Sequence, residues 1–230
     1  MNRFEHLVFD LDDTLLDTSR QLVPRASQDA CKAMIEAGLD ADLQQCLNAC
    51  ENHRASRSRL SLFSHLVESF GTLSHAKTED VTQVGYKGFY NREVEMDISI
   101  SEDVLAMLED LKTRYNLHLV TAGHRPTQES KVRILKIEYL FQTIHYVDPI
   151  KNEHKGQAFK KIATQFKAPA ASHLSIGNRV DTDIGEARKI GWRGCWVRYG
   201  EYAHLQPRDE FERPDFTIDQ IQELPKACRL

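Results

Sequence analysis

The chain has 230 residues, a formal net charge of -4 and 41% hydrophobic positions, enough for one sizeable α/β domain with a smaller one inserted, and its lack of a basic excess argues against a nucleic-acid partner. Glu5 and His6 break the N-terminal apolar run early, and no uninterrupted apolar stretch approaches the roughly 20 residues of a membrane helix, so we expect a soluble, unexported, cytoplasmic protein with no membrane partner.

Residues 7–14 read Leu-Val-Phe-Asp-Leu-Asp-Asp-Thr. The apolar run predicts a strand buried on both faces, as in a parallel sheet covered by helices, and the C-terminal ends of such strands are where open α/β sheets bind ligands. Asp10 and Asp12 there repel one another unless a cation offsets them, so a metal with a phosphate would justify the pair. A calcium loop is ruled out because Leu15 stands where that loop needs glycine and a strand, not a helix, precedes it. A plain turn and helix cap through Asp12, Asp13 and Thr14 is the alternative.

From residue 21 to about 92 no strand pattern is convincing. Helical spacing recurs through Ala30, Ala33, Met34 and Ala37, then Leu60, Phe63, Leu66, Val67 and Phe70, with Gly38, Gly71 and Gly85 as expected helix ends or bends. This predicts an all-helical block of four helices. Of the five cysteines, Cys46 and Cys50 stand one helical turn apart. No CxxC pair occurs and no third or fourth ligand is visible, so we read them as small half-buried residues and expect reduced thiols.

Strand and helix alternate beyond the block. Ser101 precedes a helix through Val104, Leu105, Leu108 and Leu111, and Leu117–Val120 form a strand ending at Thr121. A helix over 127–139, a strand over Thr143–Val147 and a helix over Gly156–Phe166 follow. His173–Ile176 form a strand into Gly177, a helix runs from about Asp183 to Ile190, Gly194–Val197 form a strand, and an edge strand is expected at Phe216–Ile218. The expected architecture is a parallel βαβ-type sheet with a helical insert after its first strand. The core covers 1–16 and 93–230, and the insert covers 17–92.

The positions just past the strands are Asp10 and Asp12, Thr121, Lys151 and Lys155, then Gly177-Asn178 with Asp181 and Asp183. A carboxylate pair, a hydroxyl, a lysine and a second acidic cluster make a kit for metal-assisted phosphoryl transfer through an aspartyl phosphate. This order resembles the haloacid dehalogenase superfamily: a first motif DxDxT at 10–14, a second at Thr121, a lysine as third, and a fourth in Ile-Gly-Asn-Arg-Val-Asp-Thr-Asp-Ile at 176–184. The resemblance implies a Rossmann-like core with a small helical cap and a magnesium-dependent phosphatase acting on a small phosphorylated metabolite. In that reading Asp10 attacks phosphorus and Asp12 is general acid and base. Thr14 positions the acid/base, and Thr121 and the lysine hold phosphoryl oxygens.

Lys155, at the start of a well-patterned helix, is preferred to Lys151. Gly123 and His124 are candidate substrate contacts, as is Arg125, and the magnesium ligands would come from Asp10, Asp12, Asn178, Asp183 and Asp181. Asn178 departs from the family's usual aspartate. At 4 Å and an effective dielectric near 20 a unit charge pair is worth about 4 kcal/mol, so its loss calls for compensation, with Asp181 the nearest candidate. A helix N-terminal role for Asp181 and plain strand termination at Thr121 stay open.

Asp12 separates phosphatase from dehalogenase, because displacement of halide from carbon needs no acid on the leaving group and the dehalogenase branch lacks this residue. Phosphomutase chemistry and a non-catalytic binding module are the other readings. His53, Arg54, Arg57 and Arg59 form a basic segment that could meet a second anionic group, or a solvated helix face. Oligomeric state is open.

Overall fold

The computed structural model describes residues 4–53, 61–90, 94 and 97–230. The chain divides into two compact units, one formed by Met1–Thr18 with Glu95–Leu230 and the other by Ser19–Val94.

The first unit is built on a six-stranded sheet of β1 (His6–Phe9), β2 (Asn116–Ala122), β3 (Thr143–Val147), β4 (His173–Gly177), β5 (Arg193–Val197) and β6 (Phe216–Ile218). Every pairing is parallel, in the order β3-β2-β1-β4-β5-β6, which is the doubly wound Rossmann-like order whose direction reverses beside β1. All four residues of β1 are buried, as a strand flanked on both sides and covered on both faces requires. Val8, Val120 and Val147 pack with Phe159 and Ile162 of α8 (Lys155–Phe166), while α6 (Glu102–Lys112) also packs on β2. Phe9 lies opposite Leu119 and Ile176, so the C-terminal ends of β1, β2 and β4 form one edge.

At the opposite edge three histidines are buried together. His6 Nδ1 and His118 Nε2 are 3.0 Å apart, and His118 Nδ1 lies 2.9 Å from the Thr143 hydroxyl. His173 stacks between His6 at 4.6 Å and Trp192 at 4.4 Å.

Two helices depart from their expected form: the helix expected over 127–139 runs over Arg125–Leu135 and stops at a left-handed Lys136, with a separate 3-10 turn over Glu138–Leu140. The sequence pattern from 183 to 190 gives a single α-helix, whereas the backbone makes a wide π-turn over Val180–Ile184 before the short α9 (Gly185–Arg188). Such turns concentrate at functional sites because they insert a residue and re-aim side chains.

The second unit contains α2 (Val23–Glu36), α3 (Leu43–Asn52), α4 (Leu62–Phe70) and α5 (Thr78–Tyr90), with α1 (Thr18–Gln21) leading into it. Asp42 starts α3 with a reciprocal cap, accepting from the Gln45 N–H at 2.8 Å while Gln45 Oε1 accepts from the Asp42 N–H at 2.9 Å. Gly38 and Gly71 follow helix ends, and a single antiparallel bridge between Leu39 and Thr72 joins the two segments. Gly85 is not a helix end: it lies inside α5, where a Cβ would collide with Met34 and Phe63, so it serves close helix packing. Leu60, Arg54, Arg57 and Arg59 lie outside the described residues. His53 stacks on His65 at 4.9 Å. Among the described residues, no helix is long and apolar enough to cross a membrane.

Candidate active site

Asp10 leaves β1 with its N–H donating to the Ile176 carbonyl at 2.9 Å, which fixes it where β1 and β4 end side by side. Lys155, the first residue of α8, places Nζ 2.7 Å from Asp10 Oδ1 and 2.5 Å from Asp183 Oδ1, and all three side chains are almost wholly buried. Lys151 is exposed and only approaches Asp148, at 3.9 Å. Of Lys151 and Lys155, Lys155 is therefore the one that the fold brings to Asp10 and Asp183.

The π-turn aims Asp183 inward. Its Oδ2 accepts from the Arg179 N–H at 2.9 Å and its carbonyl from the Ser175 hydroxyl at 2.9 Å, while a Cβ on Gly177 would overlap the carboxylate. Glycine after Ile176 is what lets this acid approach the end of β4. Asp181, two residues earlier, pairs with a different cation. Both its oxygens accept from the Arg179 guanidinium, at 3.0 and 2.7 Å, and that guanidinium lies 4.3 Å over the Tyr202 ring. Any role of Asp181 in offsetting the missing charge at Asn178 therefore competes with its pairing to Arg179. Asn178 is buried at the end of β4, and its carbonyl accepts from Trp196 Nε1 at 3.0 Å.

Asp12 is held by a separate set. Oδ1 accepts from Lys131 Nζ at 2.7 Å and the Thr18 hydroxyl at 2.5 Å, and Oδ2 accepts from Gln128 Nε2 at 2.8 Å. Lys131 and Gln128 lie one turn apart on α7 (Arg125–Leu135), and Gln128 also donates to the Ala122 carbonyl at 2.8 Å. Sequence reasoning missed Thr18, Gln128 and Lys131. The signal was the buried polar i, i+3 pair just past Thr121, which resembles an ordinary solvated helix face until the packing is known. Asp13, with φ of 53°, turns its carboxylate to accept from the Glu201 N–H at 3.3 Å.

The two site carboxylates titrate in opposite directions. For Asp10, burial is the largest influence, and with the charges of Asp183 and Asp12 it outweighs Lys155, raising the pKa to about 7. For Asp12, burial also pushes upward, but the Lys131 charge and the hydrogen bonds from Lys131, Thr18 and Gln128 prevail and hold the group below the ordinary carboxylate range. Lys155 stays protonated, because the charges of Asp10 and Asp183 overcome its desolvation.

Thr14 and Thr121 are buried, and neither hydroxyl has a hydrogen-bond partner among the described residues. Buried hydroxyls are usually satisfied, so the Thr121 donor, at the end of the strand next to β1, is available to an incoming oxygen. Gly123, with φ of 152°, leaves room for the Gln128 side chain, which a Cβ would approach to 2.9 Å. His124 begins α7 with Nδ1 3.2 Å from the Thr127 hydroxyl, and Arg125 pairs with Glu129 at 2.7 Å, so the structure gives neither a contact with the Asp10 cluster.

The model of the haloacid dehalogenase-like hydrolase family matches residues 7–197. A glyceraldehyde 3-phosphate phosphatase of Methanopyrus kandleri is 28% identical over 97% of this chain and 96% of its own length. That of Pyrococcus furiosus is also 28% identical, over 100% and 94%. Among solved structures, the HAD-hydrolase YfnB of Bacillus subtilis, described as bound to magnesium, superposes with a TM-score of 0.65 at 20% identity, covering 97% of this chain and 98% of that one. With a family match running from the first sheet strand through the fifth, the chain belongs to the haloacid dehalogenase-like hydrolases and is a phosphatase-like member of them.

Proposed function

We propose that the chain is a magnesium-dependent phosphatase that hydrolyses a small phosphorylated metabolite through a phosphoaspartate on Asp10. The observation carrying this reading is the arrangement at the end of β1: two buried carboxylates, Asp10 and Asp183, share one ammonium, with an unpartnered Thr121 hydroxyl on the neighbouring strand. The shared ammonium leaves one buried negative charge uncompensated, and burial, joined by the charges of Asp183 and Asp12, raises the pKa of Asp10. A hard divalent cation with oxygen ligands fits such a set, and Asp10, Asp183 and Asn178 are the residues that would hold it. Magnesium would supply charge neutralisation for the phosphoryl oxygens.

Asp10 attacks phosphorus as a carboxylate, while Lys155 and the Thr121 hydroxyl bind equatorial oxygens and reduce the repulsion between the anions. Asp12, ionised in the free protein, takes up a proton as the phosphate monoester binds, gives it to the departing alkoxide and then takes one from the water that opens the acyl phosphate. Its grip by Lys131, Gln128 and Thr18 fixes where that proton is exchanged. Hydrolysis regenerates Asp10 and releases inorganic phosphate. The helical unit would serve as a cap that closes on the ligand and excludes water. The near full-length likeness to glyceraldehyde 3-phosphate phosphatases favours a phosphorylated compound of triose size. Five cysteines without a disulfide accord with a reducing cytoplasm.

The test is phosphate release from p-nitrophenyl phosphate and from a panel of three- to six-carbon phosphates, measured against magnesium concentration. Turnover should need the metal, favour triose phosphates and disappear in Asp10→Asn. Wild-type rates in EDTA, or full activity of Asp10→Asn, would overturn the proposal.

A further inference from the structure

The helical unit holds a second reactive cluster for which the phosphatase chemistry has no use. Cys31 on α2 and Cys46 and Cys50 on α3 bring three sulfur atoms within 4.8 Å of one another, with the Cys31 and Cys50 sulfurs 3.7 Å apart. Cys46 and Cys50 share one face of α3 by their i, i+4 spacing, and α2 packs against α3. The third thiol that the sequence did not reveal therefore comes from a different helix. Three sulfurs bonded to one central atom at about 2.3 Å lie roughly 3.5 Å apart in a pyramid and roughly 4.0 Å apart in a plane. The observed spacing needs only small side-chain shifts to reach either.

Charge decides which atom suits the centre. The cluster sits among Ala30, Met34, Leu39, Leu62, Phe63 and Leu66, an apolar shell in which a net charge is costly. Three thiolates around copper(I) leave two negative charges, and around zinc(II) they leave one. A trivalent metalloid leaves none. Hydrogen bonding to Cys46 and then Cys50, with burial, also holds the Cys31 thiol well above its ordinary pKa, so that sulfur carries its proton at rest. Cys50 is 7% exposed while Cys31 and Cys46 are fully buried, which makes it the point of first attack.

We propose that Cys31, Cys46 and Cys50 form a three-thiol binding site for a trivalent metalloid hydroxide, arsenite being the simplest. Three S–H and three As–OH bonds break, three As–S bonds form, and the thiol protons leave with the hydroxides as three waters. Arsenic stays trivalent, and no electron acceptor is required.

Reduced full-length protein would be mixed anaerobically with sodium arsenite, desalted and weighed by native mass spectrometry. The expected product is one adduct per chain, heavier by one arsenic atom less three hydrogens, with a raised Tm. Cys195→Ala should keep the adduct and Cys46→Ala should lose it. Arsenic X-ray absorption on the wild-type protein decides independently of how the variants fold, with three sulfur neighbours expected. No adduct, an adduct short of only two hydrogens, fewer than three sulfur neighbours, or an unchanged three-sulfur adduct in Cys46→Ala would each overturn the proposal.

Discussion

Lys155→Met deletes an ammonium that lies 2.7 Å from Asp10 and 2.5 Å from Asp183 while keeping a stem of similar bulk. With an effective dielectric near 20, each contact carries roughly 6 kcal/mol of raw attraction, most of which offsets the desolvation of the three ions. Removing one partner leaves the remaining charges buried without that offset, at a cost of about 3–5 kcal/mol in stability. Asp10, already at about 7, would take up a proton to recover part of this loss. In the proposed mechanism the nucleophile is then neutral and the phosphoryl oxygens lack a cation, so kcat should fall at least about 10²–10³-fold. Urea denaturation in EDTA at pH 7.5 of the wild type, Lys155→Met, Asp10→Asn and the double variant gives the coupling directly. Asp10→Asn should rescue part of the stability lost in Lys155→Met, with a coupling energy above about 1.5 kcal/mol. A coupling below about 0.5 kcal/mol, or undiminished turnover by Lys155→Met, would refute the charge argument.

Lys131→Met removes the cation that keeps Asp12 acidic; the Asp12 pKa should rise, carrying the pH–rate profile to higher pH with at least about a tenfold loss of turnover. An unmoved profile would separate Lys131 from the proposed acid/base, Asp12. At the other edge of the sheet, burial followed by the charges of His6 and His173 pushes His118 down to about 3. Between about 3 and 6.5 the unfolded chain binds the proton that the folded chain refuses, so stability rises with pH and is lost as pH falls through that window, by up to about 1.4 kcal/mol per pH unit. His118→Gln should flatten the difference in urea midpoint between pH 7.5 and pH 5; equal acid sensitivity in both proteins would exclude His118 as the cause.

Strands such as Thr143–Val147 and Phe216–Ile218 were legible because apolar and β-branched runs bounded by turn residues carry their own signal. The meeting of Asp10, Lys155 and Asp183 was legible for a different reason: parallel topology gathers strand ends whatever lies between them. What stayed hidden depended on tertiary detail. Periodicity cannot register the extra backbone residue of the π-turn, and that turn is what sends Asp183 to Lys155 and leaves Asp181 to Arg179. Lys131 on its helix resembled any solvated lysine, yet its side chain is 8% exposed against Asp12. Cys31 gave no hint of its partners because spacing within α3 says nothing of what α2 lays across it.

The position of β1 has a consequence for synthesis of the chain. Its two neighbours, β2 and β4, are made only after the entire helical unit and, for β4, most of the remaining sequence have emerged. Loops of that size close late and slowly compared with local helices. A nascent or truncated chain ending before residue 183 would carry Asp10 and Asp12 but not the full charge cluster that tunes Asp10. Asp10, the proposed nucleophile, is thus made well before Lys155 and Asp183, which complete its charge environment.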